Sequence, residues 1–202
     1  MKKQITGTFS ILAISPDSKL MGVAVASGST SVGDRVPHAK PRVGVIATQA
    51  YTNVAYGTKG LELMTKGLSP KEALEKLLRE DSERELRQVA IMDFKRRKAA
   101  FTGVKAPKFH GEFVGEDYVV VGNLLVGKDV VSSMVEEFMG SSGDLAWRMA
   151  KTLKAGSESG GDRRGERSAA LIAVDAEKVE AKIRVDVHEN PIWELCRRLK
   201  SQ

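Results

Sequence analysis

Apolar residues recur along this chain in two rhythms that replace each other several times. Residues 8–14 (TFSILAI) and 20–26 (LMGVAVA) are apolar at both alternating positions, and Ser15-Pro16-Asp17-Ser18 marks a turn between them. Together they predict a β-hairpin covered on both faces, because a strand with one wet face would alternate apolar and polar residues. Residues 43–48 repeat that composition as a third short strand. The period then lengthens. Residues 56–66 predict a helix closing at Gly67, and a second helix opens at Ser69-Pro70-Lys71-Glu72. There Ser69 caps, Pro70 suits the first helical position and Glu72 completes a capping box. Ala73, Leu74, Leu77 and Leu78 form its apolar stripe. Strands return at 88–93, 99–102 and 117–121, with Lys95-Arg96-Arg97-Lys98 as the tip between the first two. Helices at 128–139 and 144–155, a hairpin of strands 168–174 and 179–187, and a helix at 191–199 complete the pattern.

Strands and helices thus come in separate runs, which argues for an α+β fold over a doubly wound parallel sheet. Doubly covered strands with two helix pairs fit a four-layer αββα sandwich, two antiparallel sheets between helix layers. Strands 8–14 and 20–26 are expected to pair in the middle of one sheet, with the second sheet on one face and helices on the other. The 202 residues read as a single domain, since no repeat, linker or low-complexity tract divides them.

Composition narrows the class. Hydrophobic residues make up 42% and charged residues 29%, the values of a globular protein in water. No run approaches the roughly 18 apolar residues of a membrane span. Met1-Lys2-Lys3 and the following apolar stretch could mimic a signal peptide, but Ser10 breaks the stretch and Pro16-Asp17 follows it. A cytoplasmic protein is expected. The net charge of +6 suggests a polyanion partner, yet the cations are interleaved with acids and aromatics are 5%, too few for a base-stacking platform. Nucleic acid is therefore not the expected partner. Cys196 is alone, and His38, His110 and His188 are scattered as surface or loop residues, so no metal site is expected. The stretch from Gly122 to Lys128 has the glycine and lysine spacing of a phosphate loop. Asp129, however, stands where Ser or Thr would hold magnesium, and bulky Leu124, Leu125 and Val126 fill the loop, which argues against nucleotide binding.

The candidate chemistry begins at Gly7-Thr8. A threonine hydroxyl needs a base beside it, and cleavage between Gly7 and Thr8 would create one in the freed α-amine, which titrates at about 7.7–8.0. The plainer alternative is a β-branched residue opening a strand. Gly7-Thr8, the run Gly22-Val23-Ala24-Val25-Ala26-Ser27 and Gly33 resemble the opening of proteasome β-type subunits, members of the N-terminal-nucleophile hydrolase superfamily. A longer resemblance covers nearly the whole chain. Thr8-Phe9-Ser10-Ile11, Ala47-Thr48-Gln49-Ala50-Tyr51-Thr52-Asn53, Phe101-Thr102-Gly103, Gly122-Asn123 and Gly160-Gly161-Asp162-Arg163-Arg164-Gly165 are similar to one family of that superfamily, known chiefly as a domain of unknown function.

The resemblance implies the αββα sandwich and an amide-bond hydrolase (amidohydrolase, acylase or peptidase) with an N-terminal threonine, no cofactor, and a small-molecule or peptide amide as substrate. Many chains of that family resemble a version opening Met-Thr-Phe-Ser. Here residues 1–7 precede Thr8, as a propeptide or an N-terminal extension, so a nucleophile would require peptide cleavage. Asn123 is the candidate side-chain donor to a developing oxyanion, or else the residue that turns the strand into the next helix. By analogy with proteasome-type sites, Asp162 and Ser168 would orient the amine. Arg163 or Arg164 would bind an acidic substrate group through the planar guanidinium. The alternative for that loop is an internal Asp–Arg pair. Ser27, ending the second strand, and Lys40, near where proteasome-type enzymes keep a lysine, are further substrate-binding candidates. The alternative function is an unprocessed, non-catalytic or small-molecule-binding protein on the same fold. A homo-oligomer is expected, because such a sandwich leaves its helix layers free to pack.

Overall fold

The computed structural model describes residues 7–201; of the proposed extension at 1–7, residues 1–6 lie outside the described residues. The first two strands, β1 (Thr8–Ile14) and β2 (Met21–Ser27), pair antiparallel with Ile14 opposite Met21 and Thr8 opposite Ser27. Their turn closes on Ser15, whose hydroxyl donates to Asp17 Oδ1 (2.6 Å) and accepts the Leu20 N–H (3.0 Å). Then follow β3 (Pro37–Lys40), β4 (Gly44–Ala50), α1 (Ala55–Thr65), α2 (Pro70–Glu80), β5 (Arg87–Asp93), β6 (Lys98–Thr102), β7 (Gly111–Val114) and β8 (Tyr118–Asn123). The chain continues through α3 (Asp129–Gly140), α4 (Leu145–Glu158), β9 (Ser168–Val174), β10 (Val179–Val185) and α5 (Pro191–Leu199). The predicted capping box of α2 is present: Ser69 Oγ accepts the Glu72 N–H (3.3 Å), and the Glu72 carboxylate accepts the Ser69 N–H (2.8 Å).

The strands form a six-stranded sheet in the order β10-β9-β2-β1-β8-β7 and a four-stranded sheet in the order β3-β4-β5-β6, with every pairing antiparallel. The predicted hairpin is therefore central in the larger sheet. Its alternation divides the core. Phe9, Ile11, Ala24 and Ala26 pack with α3, α4 and α5, while Leu12, Ile14, Val23 and Val25 meet Val45, Ala47, Ala90 and Met92 of the second sheet. The outer face of that sheet, Ile46, Val89 and Ile91, packs on Tyr56, Leu61 and Met64 of α1 and Ala73, Leu74 and Leu77 of α2. The layers run helix–sheet–sheet–helix, and burial on both sides explains the apolar residues at both parities.

Two strands departed from the pattern reading. Both β3 and β7 are four-residue edge strands, and β7 is mostly exposed. An edge strand needs no apolar run, and Pro37 and Gly111 at their starts read as loop. The basic tip between β5 and β6 is spent on neighbours. Arg97 pairs with Asp93 (2.7 Å), and Arg96 donates to Ser18 Oγ (3.2 Å) and the Pro16 carbonyl (2.6 Å). Among the described residues, no helix is long and apolar enough to cross a membrane.

Candidate functional site

At one end, the apolar core between the sheets gives way to polar side chains. The registers Ser27↔Ser168, Thr8↔Ser27 and Thr8↔Asn123 place Ser168, Ser27, Thr8 and Asn123 in one line across β9, β2, β1 and β8. Directly paired residues share a face. Alternation with Ala170, Val25, Leu12 and Val121 turns all four toward the second sheet. None has exposed surface. Opposite them, one pair from the end of β4 and β5, stand Gln49 and Gln88, on the same face as Ala47 and Ala90.

The two glutamines lock a buried network. Gln88 Nε2 donates to the Gly122 carbonyl (3.0 Å), the Gly111 carbonyl (3.2 Å) and Thr102 Oγ1 (3.0 Å). Carbonyls only accept, so the Gln88 amide has one orientation and its Oε1 must be the acceptor. That oxygen accepts from Gln49 Nε2 (2.7 Å) and Asn123 Nδ2 (3.1 Å). Gln49 Nε2 also donates to the Thr8 carbonyl (3.2 Å), and Gln49 Oε1 accepts from Ser10 Oγ (2.6 Å). Asn123 is thereby fixed with its nitrogen on Gln88 and its Oδ1 buried without a partner. The side chain expected to donate to an oxyanion leaves an acceptor unpaired instead. Leu124 (φ 53°) and Ala50 (φ 67°), each directly after a network residue, take left-handed backbone that non-glycine residues seldom adopt.

Thr8 Oγ1 donates to Ser27 Oγ (3.3 Å), and Ser27 Oγ donates to the Gly7 carbonyl (2.5 Å). A second donor, Arg164 Nη2, reaches the same oxygen (3.2 Å). Arg164 also forks onto Asp162, Nε to Oδ1 (3.0 Å) and Nη2 to Oδ2 (2.8 Å). Asp162 is 1% exposed and further accepts the Gly28 N–H (2.6 Å) and the Arg164 N–H (3.0 Å). Its carboxylate presses on two glycines. A Cβ on Gly7 would lie 2.5 Å from Asp162 Oδ2, and one on Gly28 would lie 2.8 Å from it, so neither position admits a side chain without displacing the acid. The loop carrying Asp162 is pinned to the β8–α3 loop. Val126 N–H donates to the Gly161 carbonyl (3.0 Å), and Arg163 N–H donates to the Leu124 carbonyl (3.1 Å).

Residues 8–195 match the model of a "Family of unknown function (DUF1028)". The chain belongs to the DUF1028 family. Among solved structures, protein SPO2555 from Silicibacter pomeroyi, also of DUF1028, is similar at 31% identity with a TM-score of 0.90. That alignment covers 96% of this chain and 85% of the other. Anbu (ancestral beta-subunit) from Yersinia bercovieri aligns at 9% identity and a TM-score of 0.47, over 96% of this chain and 93% of its own. Comparison with curated proteins returned no match.

The remaining predicted residues of this DUF1028 chain divide by place. Ser168 lies in the row, but its hydroxyl donates to the Ser29 carbonyl (2.6 Å) and accepts the Val32 N–H (3.1 Å), two strands and about 10 Å from Thr8. It holds the loop after β2. Arg163 is exposed and lies over the Phe109 ring, 4.5 Å from its centroid. Lys40 stands apart: it is exposed on edge strand β3, opposite Gly44, and its Nζ donates to Thr65 Oγ1 (3.0 Å). Counting along the chain from Thr8 could not show that β3 carries Lys40 to the far end of the second sheet. His38 also differs from expectation, lying in β3 with its Nε2 on the Arg35 carbonyl (3.2 Å), and burial holds its pKa below the ordinary value.

Ser10, Ser29, Arg35, Gln49 and Gln88 escaped the sequence reading. The glutamines had a signal: an amide inside a strand buried on both faces must find partners, which marks a polar cluster. Ser29 and Arg35 had none. Ser29 Oγ lies 2.9 Å from Ser27 Oγ, and Arg35 Nη2 donates to Ser29 Oγ (2.9 Å). Among the described residues, no three His, Cys, Asp or Glu side chains converge to hold a metal. What the site offers is a hydroxyl beside a peptide carbonyl that already carries two donors.

Proposed function

We propose that this DUF1028 protein is an amide hydrolase of the N-terminal-nucleophile type, which cuts its own Gly7–Thr8 bond and then uses Thr8 on a small-molecule or peptide amide. One observation carries the reading. The carbonyl of the bond to be cut is held by Ser27 Oγ (2.5 Å) and Arg164 Nη2 (3.2 Å), while Thr8 Oγ1 hydrogen-bonds to that same serine. Charge develops on the carbonyl oxygen when a hydroxyl attacks, and donors placed there beforehand lower the barrier. Once the bond is cut, the Thr8 nitrogen becomes an amine and serves as the base the hydroxyl lacks. A substrate carbonyl taking the place of Gly7 would meet the same donors. The motif resemblance, the layer order and a family match that begins at Thr8 all support this reading.

A second reading has its own support. Thr8 has no exposed surface, and with Gly7 attached its nitrogen is an amide without basicity. A chain that stays whole would be a non-catalytic or small-molecule-binding protein. Intact-mass measurement separates the two. The active species should be lighter by residues 1–7, and Thr8→Ala should abolish both cleavage and amide turnover while keeping the fold. Hydrolysis of amides by protein that retains Met1 refutes the mechanism, and a whole, inactive chain favours the second reading.

A further inference from the structure

We infer that Ser27 relays the proton during attack on the Gly7 carbonyl, and that Arg35, acting through Ser29, fixes the direction of that relay. The inference rests on Thr8 as the attacking group. The direction follows from which atoms can donate. A carbonyl oxygen only accepts, so the single hydroxyl proton of Ser27 lies on its 2.5 Å bond to Gly7 O. Ser27 Oγ is then the acceptor in its other contacts, with Thr8 Oγ1 (3.3 Å), the Ser29 N–H (3.1 Å) and Ser29 Oγ (2.9 Å) sharing its two lone pairs. At the head of the chain a guanidinium only donates, so Ser29 Oγ accepts from Arg35 Nη2 (2.9 Å) and its own proton is left for Ser27. Every bond points the same way, from Arg35 through Ser29 and Ser27 to Gly7. Hydrogen bonds in such a series polarise one another, most strongly where one end is charged and the surroundings are dry. Ser27 is 0% and Ser29 5% exposed. The Ser168 bonds to the Ser29 carbonyl and the Val32 N–H hold the loop that carries the head.

The chemistry balances without an ionised base. As the Thr8 Oγ–Gly7 carbon bond forms, the Thr8 proton passes to Ser27 Oγ and the Ser27 proton passes to the carbonyl oxygen, whose π pair becomes the O–H bond. On collapse the hydroxyl proton moves to the Thr8 nitrogen, the C–N bond breaks and the C=O re-forms. The product is an ester on Thr8 Oγ with a free amine, and water hydrolyses it to release the Gly7 carboxylate. Ser27 touches the reacting atoms and is catalytic; Ser29 and Arg35 are positioning residues.

The test follows cleavage of the full-length chain by intact mass. Ser27→Ala should slow it at least about 100-fold, within the range for general acid–base groups. Ser29→Ala and Arg35→Met should each slow it about tenfold, or about 1.4 kcal/mol of barrier. The double variant should be no slower than the slower single, because both act in series on Ser27. Arg35→Lys should restore most of the rate. Effects that multiply in the double variant, or an Arg35→Met chain that cuts at the wild-type rate, overturn the inference. A second readout covers a chain that never cuts and any variant too unstable to compare. The sequence has two Gly–Thr steps, Gly7-Thr8 and Gly57-Thr58, so ¹³C-carbonyl glycine with ¹⁵N-threonine gives two resolvable signals. The Gly7 signal should move upfield in uncut Ser29→Ala or Arg35→Met while Gly57 stays. A whole chain with a responsive Gly7 carbonyl removes the hydrolase reading and keeps the polarised chain. A Gly7 carbonyl indifferent to both variants, or a cut chain with indifferent rates, removes the relay alone.

Discussion

Exchange of Asp162 for asparagine takes one acceptor from a buried group that serves four donors. Oδ2 accepts Gly28 N–H and Arg164 Nη2; Oδ1 accepts Arg164 N–H and Nε. An asparagine amide can keep only one of these oxygens. In either orientation its NH2 faces one backbone N–H and one guanidinium donor. Leaving a buried backbone N–H facing a donor costs about 1–3 kcal/mol. The guanidinium is 34% exposed and can turn partly to water, so its share is discounted to about 0–1 kcal/mol. The total is about 1–4 kcal/mol, or a midpoint lower by about 2–15 °C for a chain of this size. Urea unfolding at neutral pH should show the midpoint falling with an unchanged slope. Cleavage at Gly7 should slow as well, since Arg164 is no longer aimed at the Gly7 carbonyl. A stability loss under about 1 kcal/mol would mean that the four bonds do not hold these loops together, and the account of Asp162 would fail.

Gln88→Leu removes the hub of the buried amide network and leaves the Gly111 and Gly122 carbonyls and the Gln49 and Asn123 nitrogens without it, so a loss of about 3–5 kcal/mol is expected by chemical denaturation. For Asp81, burial alone would raise the carboxyl pKa, but hydrogen bonds from Arg87 and the Glu83 N–H, with the Arg87 charge and the Tyr56 hydroxyl, outweigh it and hold the group at about 2. A folded value below the ordinary 3.8 means that the stabilisation is complete above about pH 4 and is lost as pH falls toward 2. Wild-type protein should therefore lose up to about 2 kcal/mol more than Asp81→Asn across that window, and parallel stability–pH curves would refute the assignment. Ser69→Ala should cost about 1 kcal/mol by opening the capping box of α2, read as a lower thermal midpoint.

The central hairpin was legible because burial on both faces removes the polar alternation, and the Ser15–Ser18 turn leaves one register for the strands beside it. That register also made much of the row legible: Thr8 and Ser168 open apolar runs, and Ser27 and Asn123 close them. The other half of the site was not legible. Gln49 and Gln88 meet Thr8 and Asn123 across the gap between sheets, and no turn joins those faces to reveal which row opposes which. Ser29 and Arg35 depend on how the loop after β2 folds back, which Ser168 decides from a strand 139 residues later in the chain.

The site draws its precision from the centre of a sheet. β1 is hydrogen-bonded on both sides, and the row across β9, β2, β1 and β8 is held by ladder register, so Thr8 cannot shift against Ser27 or Asn123 without slipping a strand. Two loops complete the site, and each has one buried clamp. Ser168 fastens the loop of Ser29 and Arg35 through the Ser29 carbonyl and the Val32 N–H. Asp162 fastens Arg164 and the end of β2 through the Gly28 N–H. In the uncut chain, the two residues assigned by analogy to the amine of Thr8 spend their hydrogen bonds on these clamps. Ladder register and the Asp162 clamp together put two donors, Ser27 Oγ and Arg164 Nη2, on the Gly7 carbonyl. For the proposed attack on Gly7, rigid strands under Thr8 and Ser27 and a clamped loop under Arg164 are what a preorganised site requires, since a shift of about 1 Å in either part would cost most of the rate.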